Sequence, residues 1–289
     1  MKKILLAIAI VPSLLWAQDE EPLGWTREGK VSFQVNQVTL HNWNAGGQNS
    51  VSAVGRFSYN FGYKTETANW DNSLKLAYGL QKLGKDELQK IDDQIDFLSQ
   101  LNRDLKGKWK YSGLLNFKTQ FTEGYNYPND SVPISNALAP AYLIASAGFE
   151  YKPNKHFRLM LSPLTGKLTM VLDTALSNDG AFGLDTGATT RIELGAFLKA
   201  SFKKDIMENV NLETKLDLFS NYLENPQNID VNWETYINMK VNSFLTVSVM
   251  THLIYDHDIM IAYDDSDPSL EGPRTQFKEV LGVGVTYKF

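Results

Sequence analysis

Acid–base chemistry at neutral pH would depend on four histidines: His41, His156, His252 and His257. A hydrolytic site built on one of them needs a nucleophile and an orienting group within hydrogen-bond reach. Ser220 and Asn221 are candidates, but nothing in the sequence places them beside His257. The chain has no cysteine, which excludes a thiol nucleophile and a thiolate metal site. We therefore predict that the protein is not an enzyme.

A second group of residues with chemical potential is an acidic cluster close to the C-terminus. It consists of Asp256, Asp258, Asp264, Asp265 and Asp267, with His257 among them. Clustered carboxylates can bind a divalent cation. Their spacing matches no calcium-loop pattern, so a solvated charged loop is the favoured interpretation. We expect neither a bound metal nor a cofactor.

The other charged residues occur at every second position of long segments. Between Val51 and Tyr63, apolar residues alternate with Ser, Arg, Asn and Gly. A strand places two such sets on opposite faces. The segment is longer than the 5–6 residues of a usual soluble strand, whereas a tilted transmembrane strand needs roughly 9–11 residues. The elements that position the charged residues are therefore long strands with one polar and one apolar face.

The alternation predicts about 12 strands along the chain. Their expected spans are 30–41, 50–64, 69–82, 92–104, 109–122, 139–152, 156–172, 189–203, 208–222, 229–241, 244–256 and 275–289. A change of phase between Val35 and Val38 predicts a bulge in the first strand. Connections are short after the even strands and mostly long after the odd ones, as periplasmic turns and extracellular loops are in outer-membrane barrels.

These features predict an all-β fold: an antiparallel transmembrane β-barrel with short periplasmic turns and longer extracellular loops. A soluble sandwich or a ligand-holding barrel would also alternate. The N-terminus favours the membrane protein, because Lys2 and Lys3 precede a short apolar run and a polar segment follows Ala17. This pattern predicts a signal peptide over residues 1–17 and a barrel domain over residues 18–289. The expected location is the bacterial outer membrane, in contact with its lipid.

The chain contains 28 basic and 33 acidic residues, with a net charge of −5 and a pI of about 5.5. A nucleic-acid partner is therefore not expected, since phosphate binding requires a surplus of Lys and Arg. The last strand places Leu281, Val283, Val285, Tyr287 and Phe289 on one face. A final strand of this kind resembles the signal that the barrel-insertion machinery recognises, with Tyr287 and the terminal Phe289 as its key residues. Aromatic residues near the strand ends predict two interfacial girdles.

The polar faces of the strands provide candidate residues for the interior of the barrel. Those selected are Arg56, Asp71, Lys75, Lys118, Glu193, Lys199, Glu213, Lys215, Asp217, Glu234, Lys240 and His252, with Asp230 and Lys278 as further candidates. Rings of such charges could give a narrow channel its selectivity for ions or small solutes. Pairing of opposite charges, for example Lys199 with Glu213, would instead close the interior. The barrel would then be a structural scaffold for membrane-protein partners.

Residues 162–167 (Ser-Pro-Leu-Thr-Gly-Lys) interrupt the seventh predicted strand. Position 161 is Leu, so this segment lacks the first glycine of a phosphate-binding loop. Pro and Gly inside a strand usually mark a bulge or an inward bend, which is the favoured prediction. The alternative is a constriction with Lys167 pointing into the lumen.

Four short stretches resemble a family of Bacteroidetes outer-membrane barrels that is catalogued only as a domain of unknown function. They are residues 42–50 (Asn-Trp-Asn-Ala-Gly-Gly-Gln-Asn-Ser), 162–167, 221–223 (Asn-Tyr-Leu) and 255–258 (Tyr-Asp-His-Asp). The resemblance extends over about residues 24–289. It implies a barrel of monomeric size in the outer membrane and brings no activity with it. For residues 42–50, turn formation around the glycines is favoured over a ligand or partner contact.

Overall fold

The computed structural model describes residues 22–41, 45, 47–262 and 271–289. Twelve strands form a closed barrel in which each strand pairs antiparallel with its neighbours in chain order, and the last pairs with the first. The strands are β1 Gly24–Val38, β2 Ser50–Lys64, β3 Ala68–Leu83, β4 Gln89–Lys106, β5 Trp109–Thr119, β6 Ala141–Tyr151, β7 Phe157–Met170, β8 Thr190–Met207, β9 Val210–Asn221, β10 Ile229–Lys240, β11 Leu245–Tyr255 and β12 Gln276–Lys288. The predicted antiparallel barrel is confirmed.

The two ends of the barrel have different connections. At the turn end the strands are joined by two to five residues, and at the loop end by five to twenty-one. The loops hold two short hairpins, Gly124–Tyr125 with Pro133–Ser135 and Met260–Ala262 with Glu271–Pro273. Among the described residues, no helix has the length and apolarity to cross a membrane. The predicted signal peptide, residues 1–17, lies outside the described part of the chain.

Several predicted strand bounds are wrong at their ends. β1 begins at Gly24 instead of residue 30, because the ladder with β2 continues down to the pair Gly24–Lys64. β4 begins at Gln89 instead of residue 92, which leaves only residues 84–88 as the loop before it. The predicted bulge between Val35 and Val38 is absent, since β1 pairs with β2 without a shift of register through Val38.

A bulge is present where the sequence predicts one in the seventh strand. The register of β7 shifts against both neighbours, between Ala147 and Phe149 on β6 and between Gly195 and Phe197 on β8. The Ser162 hydroxyl donates to the Ala147 carbonyl at 2.8 Å, and Thr165 Oγ1 donates to Ser162 Oγ at 3.0 Å. The side chains of the motif thus satisfy backbone groups that the irregular ladder leaves unpaired.

The outer wall of the barrel is apolar. Large hydrophobic side chains are exposed on ten of the twelve strands, including Phe33 (51%), Ile192 (73%), Trp233 (47%) and Leu281 (59%), and those of β9 and β11 are partly exposed. In water such a continuous apolar surface would be unfavourable, whereas lipid tails solvate it. The fold is therefore that of a membrane-type barrel.

Aromatic side chains cluster at the two ends of this wall. At the turn end, the ring of Trp25 lies 5.0 Å from Tyr63 and 6.5 Å from Trp70. At the loop end, the rings of Tyr78 and Phe121 lie 6.5 Å apart. Such rings suit the interface between lipid and water because they are partly polar and partly apolar.

The barrel closes through the pairing of β1 with β12. The ladder runs from Lys30–Lys288 to Val35–Val283. Below it, Gly29 and Phe289 exchange two backbone hydrogen bonds of 2.7 and 3.0 Å. A Cβ atom on Gly29 would lie 2.3 Å from the Phe289 ring, so the absence of a side chain at Gly29 makes room for the terminal ring. The last residue of the chain is thereby part of the closure.

We predict that Gly148→Ala destabilises the barrel because the β7 bulge leaves no room for a methyl group. A Cβ atom at Gly148 would lie 2.1 Å from the Leu161 carbonyl oxygen and 2.6 Å from the Ser162 Cα atom. We expect a loss of about 1–3 kcal/mol, which a lower unfolding midpoint on heated gels would report. Gly113→Ala is the control, since its Cβ would have no atom closer than 4.0 Å. Equal midpoints for the two variants would contradict the bulge geometry.

Candidate functional site: the barrel interior

The candidate residues lie on the inner phase of their strands. Seven of them line a cavity inside the barrel: Arg56, Asp71, Lys75, Lys199, Glu213, Lys215 and Lys240. The others make contacts inside the lumen: Lys118, Lys167, Glu193, Asp217, Glu234 and His252. The inner face therefore carries charges of both signs, and their partners decide whether the interior is open.

Several ion pairs cross the lumen at mid-height. Lys75 on β3 lies 3.6 Å from Glu234 on β10, although these strands are five places apart in the ring. Asp217 on β9 accepts a hydrogen bond of 2.7 Å from Lys199 on the neighbouring strand β8. It also lies 3.8 Å from Lys118 on β5, across the lumen. The side chain of Glu234 is only 6% exposed. The pairs of Lys75 with Glu234 and of Lys118 with Asp217 thus join strands that are not neighbours in the ring.

The predicted pair between Lys199 and Glu213 is not formed. Lys199 is directly opposite Asp217 in the ladder between β8 and β9, and Glu213 is opposite Lys203. Glu213 lies 2.8 Å from Lys215 and 3.8 Å from Lys203. Cross-strand neighbours are set by the register, which the alternation alone does not determine.

Sequence reasoning missed a deeply buried carboxylate of the lumen, Asp92. Its side chain is 3% exposed and contacts both Arg56, at 2.7 Å, and Lys278. Arg56 is on β2 and Lys278 on β12, so Asp92 on β4 joins three strands. Position 92 was expected to begin its strand, where the alternation is weakest. The alternation of Asp92 with Gln94 and Asp96 on one face is the signal that could have identified it.

Lys167 is the centre of a second cluster, nearer the loop end. Its ammonium group lies 2.7 Å from Asp230, 3.3 Å from Glu193 and 3.5 Å from Asp256. It also lies 5.1 Å from the centre of the Phe219 ring. One buried ammonium group thus offsets the mutual repulsion of three carboxylates near the loop end of the lumen.

Arg191 connects three loops above this cluster. Its guanidinium donates to the Gly183 carbonyl at 2.9 Å and to Asp258 at 2.6 Å, and it lies 3.5 Å from Glu224. These partners belong to the loops at 171–189, 256–275 and 222–228. Planar guanidinium groups suit such multiple contacts because they present several fixed donors. The loops are thus tied together at the loop end of the lumen.

The loop 171–189 contains the helix Thr174–Asn178, which we call α1, and a 3₁₀ turn at Ala181–Gly183. Asp173 caps α1 by accepting from the backbone N–H groups of Ala175 and Leu176. It also accepts from the Asn136 amide at 3.1 Å. This last bond, followed by the bond from Leu176, holds the pKa of Asp173 below its ordinary value.

An apolar cluster fills one side of the lumen. Leu114, Met160, Phe197 and Phe219 are all at most 5% exposed, and Leu98 and Ile144 pack against them. These residues belong to β4 through β9. An apolar cluster of this kind excludes water, so any polar path must follow the other side of the barrel.

The other side contains a cavity of about 1340 Å³. It is lined by residues of every strand except β5, most of them on β1–β3 and β8–β12, and by the turns at 155–156, 208–209 and 242–243, so it opens at the turn end. Its lining includes Lys75 and Lys199, which belong to the mid-height ion pairs, and Tyr236, whose hydroxyl donates to Glu234 at 3.4 Å. We call this space the vestibule.

The histidines and the acidic cluster make separate contacts. His257 shares a hydrogen bond with Tyr255, and His252 with Asn232. Ser220 donates to the Pro226 carbonyl at 2.6 Å, and within the described ranges no hydrogen bond joins it to a histidine. Asp256 and Asp258 turn into the lumen mouth, while Asp264, Asp265 and Asp267 lie outside the described residues. The described part of the chain holds no group of three potential metal ligands.

Fold and interior together define a membrane-type β-barrel with a polar, internally paired lumen. The model of a family described as "Protein of unknown function (DUF3078)" matches residues 35–125. This range includes the first of the four stretches that suggested a family of unknown function, although residues 42–44 and 46 lie outside the described structure. The other three stretches lie beyond the match. No curated protein matches the sequence.

Solved structures with a similar arrangement are outer-membrane proteins. An outer membrane channel, COG4313, from Pseudomonas putida F1 is 14% identical, covers 95% of this chain and 100% of its own, and has a TM-score of 0.43. The translocator domain of the autotransporter NalP from Neisseria meningitidis is 11% identical, with coverages of 94% and 91% and a TM-score of 0.39. The toluene transporter TodX of P. putida is 9% identical, with coverages of 93% and 90% and a TM-score of 0.31.

We predict that Lys167→Met strongly destabilises the barrel, because it leaves Glu193, Asp230 and Asp256 without their shared cation. The expected loss is about 3–5 kcal/mol, as for other broken buried ion pairs. Urea unfolding in lipid vesicles, followed by tryptophan fluorescence, would measure it. Lys240→Met is the control at the exposed turn end. Adding Asp230→Asn and Asp256→Asn to Lys167→Met should restore part of the loss; no restoration would contradict the electrostatic role.

We predict that the loop 171–189 loosens in acid before the barrel wall does. Because the pKa of Asp173 is lowered, its contribution is complete above the ordinary carboxyl pKa and is lost as the pH falls through the lowered value. Amide hydrogen exchange of residues 174–188, corrected for intrinsic rates, would report the loosening. Asp173→Asn keeps a capping acceptor without a titration and should flatten this pH dependence. An unchanged pH profile in that variant would rule out Asp173 as the cause.

Proposed function

We propose that this protein is an outer-membrane channel for ions or small polar solutes, held closed in the observed state by ion pairs across its lumen. In this proposal residues 1–17 direct export, Tyr287 and Phe289 present the last strand to the barrel-insertion machinery, and lipid covers the apolar wall. The bacterial outer membrane is the proposed location. The inner residues, from Arg56 to His252, form the permeation path.

The observation that supports a channel is the unequal filling of the lumen. The apolar cluster packs against the β4–β9 wall, whereas the 1340 Å³ vestibule, which also touches Leu98 and Met160 of this cluster, extends mainly along β1–β3 and β8–β12. A purely structural interior would have no need of a large water-accessible space. Charged constrictions are a common means of selecting ions and small solutes.

The closure is formed by charged groups, and this makes it reversible. The Lys75–Glu234 pair joins distant strands at a separation of 3.6 Å, a distance without ideal hydrogen-bond geometry. Water or a passing ion can replace such a contact, because it then becomes the new partner of each separated charged group. An apolar plug offers no such replacement. The mid-height ion pairs are therefore the proposed gate.

The apolar cluster supports a second candidate function. Met160 and Phe197 are at most 3% exposed, so this part of the interior is packed like a protein core. A barrel of this kind could instead be a closed scaffold for membrane-protein partners. Its long loops would then be the contact surface, and the ion pairs would contribute only to stability.

Single-channel recording distinguishes the two functions. We expect the wild-type protein in planar bilayers to show rare, brief steps. Lys75→Gln with Glu234→Gln removes the pair at nearly constant side-chain size and should raise the open probability roughly tenfold, equivalent to about 1.4 kcal/mol. The exchange Lys75→Glu with Glu234→Lys keeps the pair and should behave like the wild type.

The controls separate gating from misfolding. Lys110→Gln removes a turn-end charge whose partner Asp104 has a half-exposed side chain, and it should leave the open probability unchanged. All proteins must migrate as folded barrels on unheated gels. Folded protein without discrete steps in every variant would refute the channel and favour the scaffold. Equal open probabilities in the neutral and exchanged variants would refute the Lys75–Glu234 gate.

A further inference from the structure

The vestibule has a charge opposite to that of the chain. The whole protein has a net charge of −5. Among the described residues that line the vestibule, eleven are Lys or Arg and six are Asp or Glu. A recess lined by one excess charge concentrates counter-ions, because its low-dielectric walls focus the field. The turn end of the lumen therefore attracts anions.

Two of these lysines are placed directly against each other. Lys30 and Lys288 are register partners in the ladder that closes the barrel between β1 and β12. Both line the vestibule. Directly opposite residues on neighbouring strands have Cβ atoms about 4.5–5.5 Å apart, and like charges at such positions repel. The closing seam therefore contains a repulsive pair where attraction would be expected.

The surroundings of the pair only partly offset this repulsion. Lys203 adds a further positive charge near Lys30, while Glu28 and Glu213 act in the opposite direction. Glu213 already lies 2.8 Å from Lys215. Among the described residues, no carboxylate is within ion-pair distance of the ammonium group of Lys30 or Lys288. An anion between these two lysines would remove the repulsion.

The geometry points to an anion-binding site formed by Lys30 and Lys288 on the inner side of the closing seam, in the vestibule that Lys203 also lines. The ligand class is a phosphate dianion, either inorganic phosphate or the phosphate of a small monoester. In naming the solute that enters the vestibule, this inference rests on the proposed channel. The site itself requires only the closed barrel.

The chemistry favours a phosphate over a monoanion. Two ammonium groups need two negative charges for neutralisation, and a phosphate group near neutral pH supplies nearly that many. Its oxygens can accept hydrogen bonds from several donors at once, and lysine binds phosphate well as a point charge. Chloride or a single carboxylate would leave one positive charge without compensation.

Binding can be measured without any conductance. The folded protein in a zwitterionic detergent at low ionic strength would be heated with inorganic phosphate or with chloride at equal ionic strength. We expect millimolar phosphate to raise the unfolding midpoint by a few degrees and chloride to have little effect. In Lys30→Gln with Lys288→Gln, the phosphate effect should be lost. This variant should be as stable as the wild type or more stable in the absence of phosphate.

A second variant keeps the test valid if the first folds poorly. Lys288→Glu places a carboxylate opposite Lys30, so it should raise the midpoint without phosphate and abolish the response to phosphate. Lys106→Gln, at the turn end but outside the vestibule lining, is the matched control and should respond like the wild type. A wild-type protein that ignores phosphate, or a double variant that still responds, would overturn the site.

Phosphatidic acid, a lipid whose headgroup is a phosphate monoester, is the alternative source of the same chemistry. In phosphate-free buffer, nanodiscs that contain phosphatidic acid and nanodiscs of phosphatidylcholine alone would be compared. Stabilisation by the anionic lipid that disappears in Lys30→Gln with Lys288→Gln would assign the site to a headgroup, and its absence would leave soluble phosphate as the ligand. Because neither arm uses ion flow, a failure of the channel proposal would not resemble a failure of this site.

Discussion

Closure of the barrel is the constraint on which the rest of the structure depends. Inside a membrane every backbone N–H and C=O group must find a partner in the protein, and only a closed ring of strands provides this for a β-sheet. Here closure depends on the short ladder from Lys30–Lys288 to Val35–Val283 and on the two hydrogen bonds between Gly29 and Phe289. The β1–β2 ladder, by comparison, extends over fifteen register pairs. The seam is thus the least extensively paired junction in the wall.

Once the ring is closed, each side chain must face either lipid or lumen. The apolar phase meets lipid, and the charged phase is confined to the lumen, partly in the vestibule and partly among buried side chains. A confined charge is stable only with a partner, so the lumen becomes a network in which Asp92 joins three strands and Lys167 joins three carboxylates. The ion pairs that close the interior are therefore a consequence of the same alternation that makes the outer wall apolar.

Local features of this barrel could be predicted from the sequence, whereas contacts between distant strands could not. Alternation identified β2 at its observed bounds and placed Lys75 and Glu234 on the inner face, because strand parity is a local property. It could not give their contact, since the pairing of strands five places apart depends on barrel diameter and tilt. The predicted Lys199–Glu213 pair was wrong for a related reason, because the strand register places Asp217 opposite Lys199. The junction of Arg191 with three loops had no periodic signal at all, because loops follow no repeat.

The charges inside the lumen are unevenly distributed along the axis of the barrel. Toward the turn end the vestibule has an excess of Lys and Arg, whereas Lys167 and Arg191 at the loop end are surrounded by Glu193, Asp230, Asp256, Asp258 and Glu224. The Lys75–Glu234 pair lies between these two regions. An ion that moves along the polar side would therefore meet a potential that changes sign at mid-height. Neither sign of ion is favoured over the whole path, so the ion pairs at this boundary are where the electrostatics of the lumen oppose permeation most strongly.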